Sequence, residues 1–318
     1  MASCSQVCLT CKHRNKRCYA TPNSTCIEYE SEETNRRNII NKADKYLKED
    51  IKKILNTGTL DQNPRPKYED GTPAHTYFVT HNIRTYDLAN GEFPITTLRP
   101  IAWKSAIKEV LWIYQDQSND LSVLENKYNV MWWREWESKD KPNTIGNRYG
   151  HTVKEYDLLN KRVLNDIKDD PYGRYHIMNL WQEEEFKKSD GLKPCAYETI
   201  WTVRGEYLDM FLNQRSGDML VASGAGNVNE IQYAALLMMV ARHTGYKAGK
   251  FTHMVVNEQI YDRHIENANI MLERVSSDKQ PKLVLNENKT NFYDFTIDDF
   301  ALEEYEPVKP QLKFEIGI

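Results

Sequence analysis

A single cysteine stands alone in the body of this 318-residue chain. Five of its six cysteines lie within the first 26 residues, and everything after them contains only Cys195, in Lys193-Pro194-Cys195-Ala196-Tyr197-Glu198. A free cysteine is most often a small buried hydrophobe. Its neighbourhood argues for more. Twenty residues on lies Gln214-Arg215-Ser216-Gly217-Asp218, and Glu198–Arg204 and Tyr207–Arg215 read as a hairpin around Gly205-Glu206. Folding that hairpin brings Arg215 back onto Cys195. A guanidinium beside a thiol favours the thiolate, which is the nucleophilic form. Glu109 is a second candidate. It sits among Ile107, Val110 and Leu111, which disfavours the plain reading of an exposed helix acid.

The N-terminal cysteines carry a separate chemistry. Cys8-x2-Cys11, then Cys18 and Cys26, supply four soft ligands within 19 residues, with Cys4 spare. Four thiolates at such spacing suit tetrahedral zinc. The second pair is not a CxxC, so loose reduced thiols are the competing reading. Lys12, His13, Arg14, Lys16 and Arg17 lie among them. A run this short reads as a solvated loop in preference to a nucleic-acid contact.

The elements that must position these residues follow from periodicity. Residues 1–30 form a Cys-rich appendage, and 31–318 the body. Residues 31–58 read as a helix, with apolar positions from Ile39 to Leu55 at spacings of three and four and Gly58 as its stop. Residues 59–75 are loop, Thr76–Leu88 a strand, and Ala102–Tyr114 an apolar helix after Pro94 and Pro100. Glu137–Gly150 is loop-like, and Leu158–Lys168 a second amphipathic helix. Glu230–Thr244 is apolar on nearly all sides and predicts a buried core helix. A strand, a helix around Tyr261–Arg274 and a final strand near Gln311–Ile318 complete the order. Strands and helices without regular βαβ alternation argue for an α+β fold.

Composition sets outer limits. A formal net charge of −4 with 40% hydrophobic residues gives no reason to expect a protein that coats nucleic acid or a membrane surface. No run of 18 apolar residues occurs, so no membrane span is expected. The N-terminus has no apolar h-region, which leaves a cytoplasmic location as the simplest expectation.

In order along the chain stand Phe93-Pro94-Ile95-Thr96-Thr97, Lys104 to Trp112, Gln117-Ser118-Asn119-Asp120, Asp170-Pro171-Tyr172-Gly173-Arg174, Pro194-Cys195, Gln214 to Asp218, Ile260-Tyr261-Asp262-Arg263-His264 and Tyr293-Asp294-Phe295. Together they resemble the thymidylate synthase family, most nearly its branch in low-GC Gram-positive bacteria and their phages, over about nine-tenths of the chain. The resemblance implies a mixed β-sheet packed with helices and dimerising through that sheet. It implies methylation of dUMP at C5 with 5,10-methylenetetrahydrofolate, through addition of Cys195 to C6. By the same resemblance Glu109 organises proton transfer, Tyr149 lies near the C5 proton, and Arg215 and Ser216 bind phosphate. Arg174 reaches the phosphate in the partner of a homodimer. Asp218 holds the pterin, with Trp133 and Trp136 as an aromatic wall. Tyr261 binds the sugar hydroxyl, and Gln259 stands where the family has a histidine beside it.

Base choice falls to Asn229, four residues before Tyr233, with Asn227 as competitor in the altered stretch Ser223 to Glu230. A carboxamide both donates and accepts, as O4 and N3–H of uracil require. Other departures are Arg174-Tyr175 in place of two arginines, Ala196 in place of a histidine, and Pro64 to Gly71 in place of the mobile arginine loop, where Arg65 or Lys67 takes up the phosphate. Two further readings stand: a deoxyuridylate hydroxymethylase on this scaffold, and an inactive scaffold serving as a zinc- or nucleic-acid-binding protein.

Overall fold

The computed structural model describes residues 41–318. The N-terminal cysteine cluster, with its zinc reading, lies outside them. Among the described residues no group of three or more His, Cys, Asp or Glu side chains could hold a metal ion.

Helix α1 runs Lys42–Thr57. Its N-terminus is set by Asn41, whose side chain accepts from Ala43 N–H, and Ala43, Leu47, Ile51 and Ile54 form its buried stripe. Strands β1 (Thr59–Leu60) and β2 (Thr76–Asp87) follow. Helix α2, Trp103–Val110, widens over Leu111–Gln115, where Asp116 N–H donates to Leu111 O five residues back at 3.0 Å. The short helices α3 (Leu121–Tyr128) and α4 (Gly150–Glu155) follow it. Leu158–Lys168, expected as a helix, is one: it widens over Asn160–Asn165 and tightens again in α5, Asp166–Asp169.

Then come β3 (Ile177–Asn179), α6 (Glu183–Lys188), β4 (Ala196–Arg204) and β5 (Tyr207–Asp218). The expected hairpin is present, and its turn places Gly205 at φ 63°, a conformation cheap only for glycine. Helix α7, Val228–Thr244, is buried nearly all round, as its composition predicts. The 15-residue β6 (Lys247–Tyr261), α8 (Ile265–Glu273), and the β7 (Lys282–Leu285) and β8 (Phe300–Glu303) pair end the order.

Six strands form one sheet in the order β1-β2-β6-β5-β4-β3, antiparallel except where β5 and β6 run parallel. This is the mixed α+β arrangement expected from the sequence. On β5 Leu208, Met210, Leu212 and Gln214 face the core, whereas Asp209, Phe211 and Asn213 on the opposite face are half-buried. Helix α7 covers the core face and joins a single large cluster with α2 and the sheet.

Two expectations at the C-terminus are corrected. Tyr261 is the last residue of β6, and the helix begins only at Ile265. Residues 311–318 form no strand. The tail exchanges backbone hydrogen bonds only between Ile318 and Lys67, at 2.9 Å each, while Asn267 and His264 side chains take the carbonyls of Lys313 and Glu315. With its carbonyls claimed by side chains, the tail has no ladder to extend.

Candidate active site

The parallel pairing of β5 with β6 fixes the site. Register places Ser216 beside Asn257 and Asp218 beside Gln259, and period-2 alternation carries Tyr261 onto the same side as Gln259. Cys195 immediately precedes β4, and Arg215 N–H donates to Cys195 O at 2.9 Å. The Arg215 guanidinium donates to the carbonyls of Pro194 (3.0 Å) and Lys193 (2.9 Å) and reaches Cys195 Sγ at 3.5 Å. The pairing expected from the sequence is therefore met in space.

Its electrostatic consequence is weaker than expected. Burial pushes the Cys195 thiol up, and the Arg215 charge only partly opposes that rise. The guanidinium also donates to two backbone carbonyls, while the half-buried thiol is largely desolvated. The site thus holds a poised thiol.

Glu109 lies on α2, buried, with Trp132 Nε1 donating to it at 2.5 Å. Burial pushes its carboxyl up to about 7. The nitrogens of Trp133 and Gln232 face the same carboxylate from beyond hydrogen-bonding geometry and have no other partner. Tyr149, at φ 48°, accepts from Cys195 N–H at 3.1 Å, which leaves its own hydroxyl proton free to be given elsewhere. Its ring meets Trp133 edge to face at 5.3 Å, and Trp133 meets Trp136 at 5.8 Å. These aromatics form one continuous wall, with Trp133 and Tyr149 buried and Trp136 half-buried.

Asp218 is half-buried and pushed up to about 6 by desolvation, with His264 Nδ1 at 3.9 Å opposing. Its Oδ1 accepts from Leu220 N–H, and its Oδ2 is buried without a partner. An unpaired buried carboxylate oxygen needs a donor. The donor-rich edge of a pterin suits it, so the residues present fit a reduced folate at this end.

The two asparagines separate cleanly. Asn227 is fully buried, donates to Met219 O at 3.0 Å and accepts from Arg99 at 2.7 Å. Asn229 is half-buried, accepts from Gln214 at 3.2 Å and donates to Gln232 at 3.0 Å. Tyr261 is buried, and its hydroxyl lies within the field of Asp218, Arg65 and Cys195. Lys67 instead spends its backbone on the C-terminal tail. Arg174 is exposed between Tyr172 and Tyr175, away from these groups.

Two residues escaped the sequence reading. Arg99, which ties Asn227 and the carbonyl of Leu220 together and lies 5.2 Å from the Phe314 ring, is a buried cation with no periodic signal. His253, at the core of β6, looks in sequence like any strand residue.

The thymidylate synthase family model matches residues 44–318. Thymidylate synthase of Lactococcus lactis subsp. lactis (strain IL1403) is 51% identical over 282 residues, covering 87% of this chain and 99% of that protein. That of Streptococcus pneumoniae (strain 70585) is 52% identical over the same shares. Among solved structures, a thermostable thymidylate synthase A from Bacillus subtilis superimposes with a TM-score of 0.79 at 36% identity, covering 86% of this chain and 99% of that one. The chain belongs to the thymidylate synthase family. Its reaction is the folate-dependent methylation of dUMP at C5, with methylenetetrahydrofolate as co-substrate. No helix among the described residues is long and apolar enough to cross a membrane.

Proposed function

We propose that Cys195 adds to C6 of the uracil ring of dUMP and so makes C5 nucleophilic. The observation that carries this reading is the 3.5 Å approach of Arg215 to Sγ within a buried site that also holds Glu109 and Tyr149. C5 of uracil is a weak nucleophile. Sulfur addition at C6 converts the ring to an enolate, splitting one hard step into easier ones. Methylenetetrahydrofolate supplies the one-carbon unit and the hydride.

The chain's own groups do the rest. Glu109, protonated near neutral pH, is placed to hold and pass a proton at O4 through water. Tyr149, which keeps its own proton, stands beside Cys195 to donate to and hold the water that takes the proton lost from C5. Asn229 pairs with the base, because Asn227 is consumed by Arg99 and Met219. Tyr261 and Gln259 face the sugar. Ser216, Arg215 and Arg65 take the phosphate, with Arg174 from a second copy. No carboxylate among the described residues pairs with Arg215, Arg174 or Arg65; Arg215, whose Nε and Nη2 are engaged by Pro194, Lys193 and Cys195, has Nη1 left to offer a phosphate. Asp218, Trp133 and Trp136 hold the folate.

A homodimer in the cytoplasm is the assembly this reading needs. The half-buried outer face of β5 and the exposed Tyr172, Tyr175 and Ile177 around Arg174 are the surface it would use.

The test is product analysis. The protein is incubated with dUMP and methylenetetrahydrofolate, the nucleotide is identified by mass, and dihydrofolate is followed by absorbance. dTMP with equimolar dihydrofolate, both lost in Cys195→Ser, supports the reading. Hydroxymethyl-dUMP without dihydrofolate contradicts it.

A further inference from the structure

Behind the base-reading asparagine lies a chain of buried polar groups. Asn229 Oδ1 accepts from Gln214 Nε2 at 3.2 Å, and the same nitrogen donates to Ser216 O at 3.0 Å. Gln214 Oε1 meets His253 Nε2 at 3.1 Å. On the far side of the ring, His253 Nδ1 lies 3.1 Å from Glu230 Oε1 and 3.4 Å from Arg84 Nη2. His253 is fully buried and reaches the site only through Gln214.

The donors and acceptors of this chain permit one arrangement. Ser216 O can only accept, so the end of the Gln214 amide that faces it must be nitrogen. Gln214 Oε1 then points at His253, and that ring nitrogen must carry a proton. Nδ1 stands between an acceptor, Glu230, and a donor, Arg84. The Nε2–H is therefore kept whether the ring is neutral or charged.

The consequence reaches the base. Uracil offers N3–H and O4, a donor and an acceptor. Cytosine offers N3 and an amino group, the same two positions with roles exchanged. A carboxamide that turns over serves either base. Gln232 holds Asn229 less firmly, because its own Nε2 only faces the Glu109 carboxyl from beyond hydrogen-bonding geometry. Gln214 can hold it, being anchored at both ends.

We propose that His253 is the positioning residue that, through Gln214, fixes which way the Asn229 carboxamide faces and so sets the preference for uracil over cytosine. This rests on the reading of Asn229 as the base-recognising residue.

The experiment measures dissociation constants of dUMP and dCMP for the full-length protein and four variants. Asn229→Asp tests the underlying reading, and a shift of preference toward dCMP is expected. His253→Asn keeps an amide near Glu230 and Arg84 but is too short to reach Gln214. His253→Gln places its amide nitrogen near the lost Nε2. Loss of one buried hydrogen bond predicts that the dCMP-to-dUMP ratio of dissociation constants falls about tenfold in His253→Asn. In His253→Gln the ratio is expected to stay within about threefold of the parent, because the donor is restored. Should His253→Asn not fold, His253→Phe keeps the ring volume without either nitrogen and must show the same fall.

An unchanged ratio in a folded His253→Asn or His253→Phe protein, alongside a shifted Asn229→Asp, overturns the role of His253 alone. So does an equal fall in His253→Gln, which would mark a packing effect. An unshifted Asn229→Asp overturns the Asn229 reading itself.

Discussion

Two buried polar clusters lie within this fold and are treated in opposite ways. Around Arg84 each carboxylate has its cation, although burial still pushes Asp50 upward. Its Nε donates to Glu230 at 2.7 Å, its Nη1 to Asp50 and Glu258 at 2.8 Å each, and its Nη2 to Ser223 O at 2.7 Å. Glu230 also accepts from Tyr86 and from Gly226 N–H at 2.7 Å each. Gly226 holds φ 68°, and a side chain there would press on the Thr96 backbone at 2.2 Å. Although fully buried, Glu230 is held below the usual carboxylate range by Arg84 and His253.

In the cleft Glu109 is also buried and Asp218 partly so, yet satisfaction is poor. Glu109 has one close donor, Asp218 has an unpaired oxygen, and both carboxyls are pushed up. Unequal pairing among desolvated carboxylates separates a group that holds the fold from one that waits for a ligand.

The largest effect that can break this contrast is on turnover. Cys195→Ser is expected to lower kcat by at least about 10⁴-fold. The melting temperature should move by no more than about 4 °C, as for a change near 1 kcal/mol in a chain of this size. A large loss of stability with activity retained would place Cys195 with the structural groups.

Next comes the paired cluster. Arg84→Ala leaves Glu230 and Glu258 buried without their cation, and removing one partner from such a set costs about 3–5 kcal/mol. Urea unfolding followed by tryptophan fluorescence reads this directly. A loss below about 1 kcal/mol would show that water enters the cluster and that its pairing is not what keeps it.

Glu109→Gln probes the unpaired side. The folded carboxyl titrates near 7 against an ordinary 4.5. The native state keeps its proton over a range where the unfolded chain has lost it, so stability falls as pH rises from 4.5 through 7. The amide escapes that loss. The variant should gain on the parent by up to about 3 kcal/mol at pH 8 relative to pH 4 while its kcat drops about 10²-fold. A pH-independent difference in stability would contradict the raised carboxyl.

The smallest effect is at Asp218. Asp218→Asn retains shape and loses charge, and KM for the folate should rise about tenfold with KM for dUMP unchanged, the scale of one charged hydrogen bond. An equal rise in both constants would move Asp218 out of the folate end.

The contrast also explains what the sequence could reveal. Local patterns are physical, and they predicted the hairpin around Gly205, the core helix at 228–244 and the strand at 76–87 with errors of at most three residues. The approach of Arg215 to Cys195 followed from that hairpin. Position was legible where one element sets it, and environment was not. The thiol was expected to be helped toward thiolate, but burial, which no local pattern encodes, wins instead. The Arg84 cluster joins residues from α1, β2, α7 and β6, up to 208 positions apart along the chain, and appears only when the sheet closes. The choice between Asn227 and Asn229 needed the Arg99 side chain, 128 residues away from Asn227. The widened turn at 111–115 kept a helical periodicity that concealed it.

The central claim is the covalent role of Cys195, and trapping the adduct tests it most directly. A fluorine at C5 of dUMP cannot leave as the proton does, so an enzyme that adds sulfur to C6 and then joins the folate carbon at C5 should stall with both substrates attached. Mass spectrometry of the protein incubated with 5-fluoro-dUMP and methylenetetrahydrofolate should show one added nucleotide and one added folate, with the nucleotide on the peptide containing Cys195 and nothing on Cys195→Ser. An adduct on any other residue, or none from an enzyme that still turns dUMP into dTMP, would contradict the account.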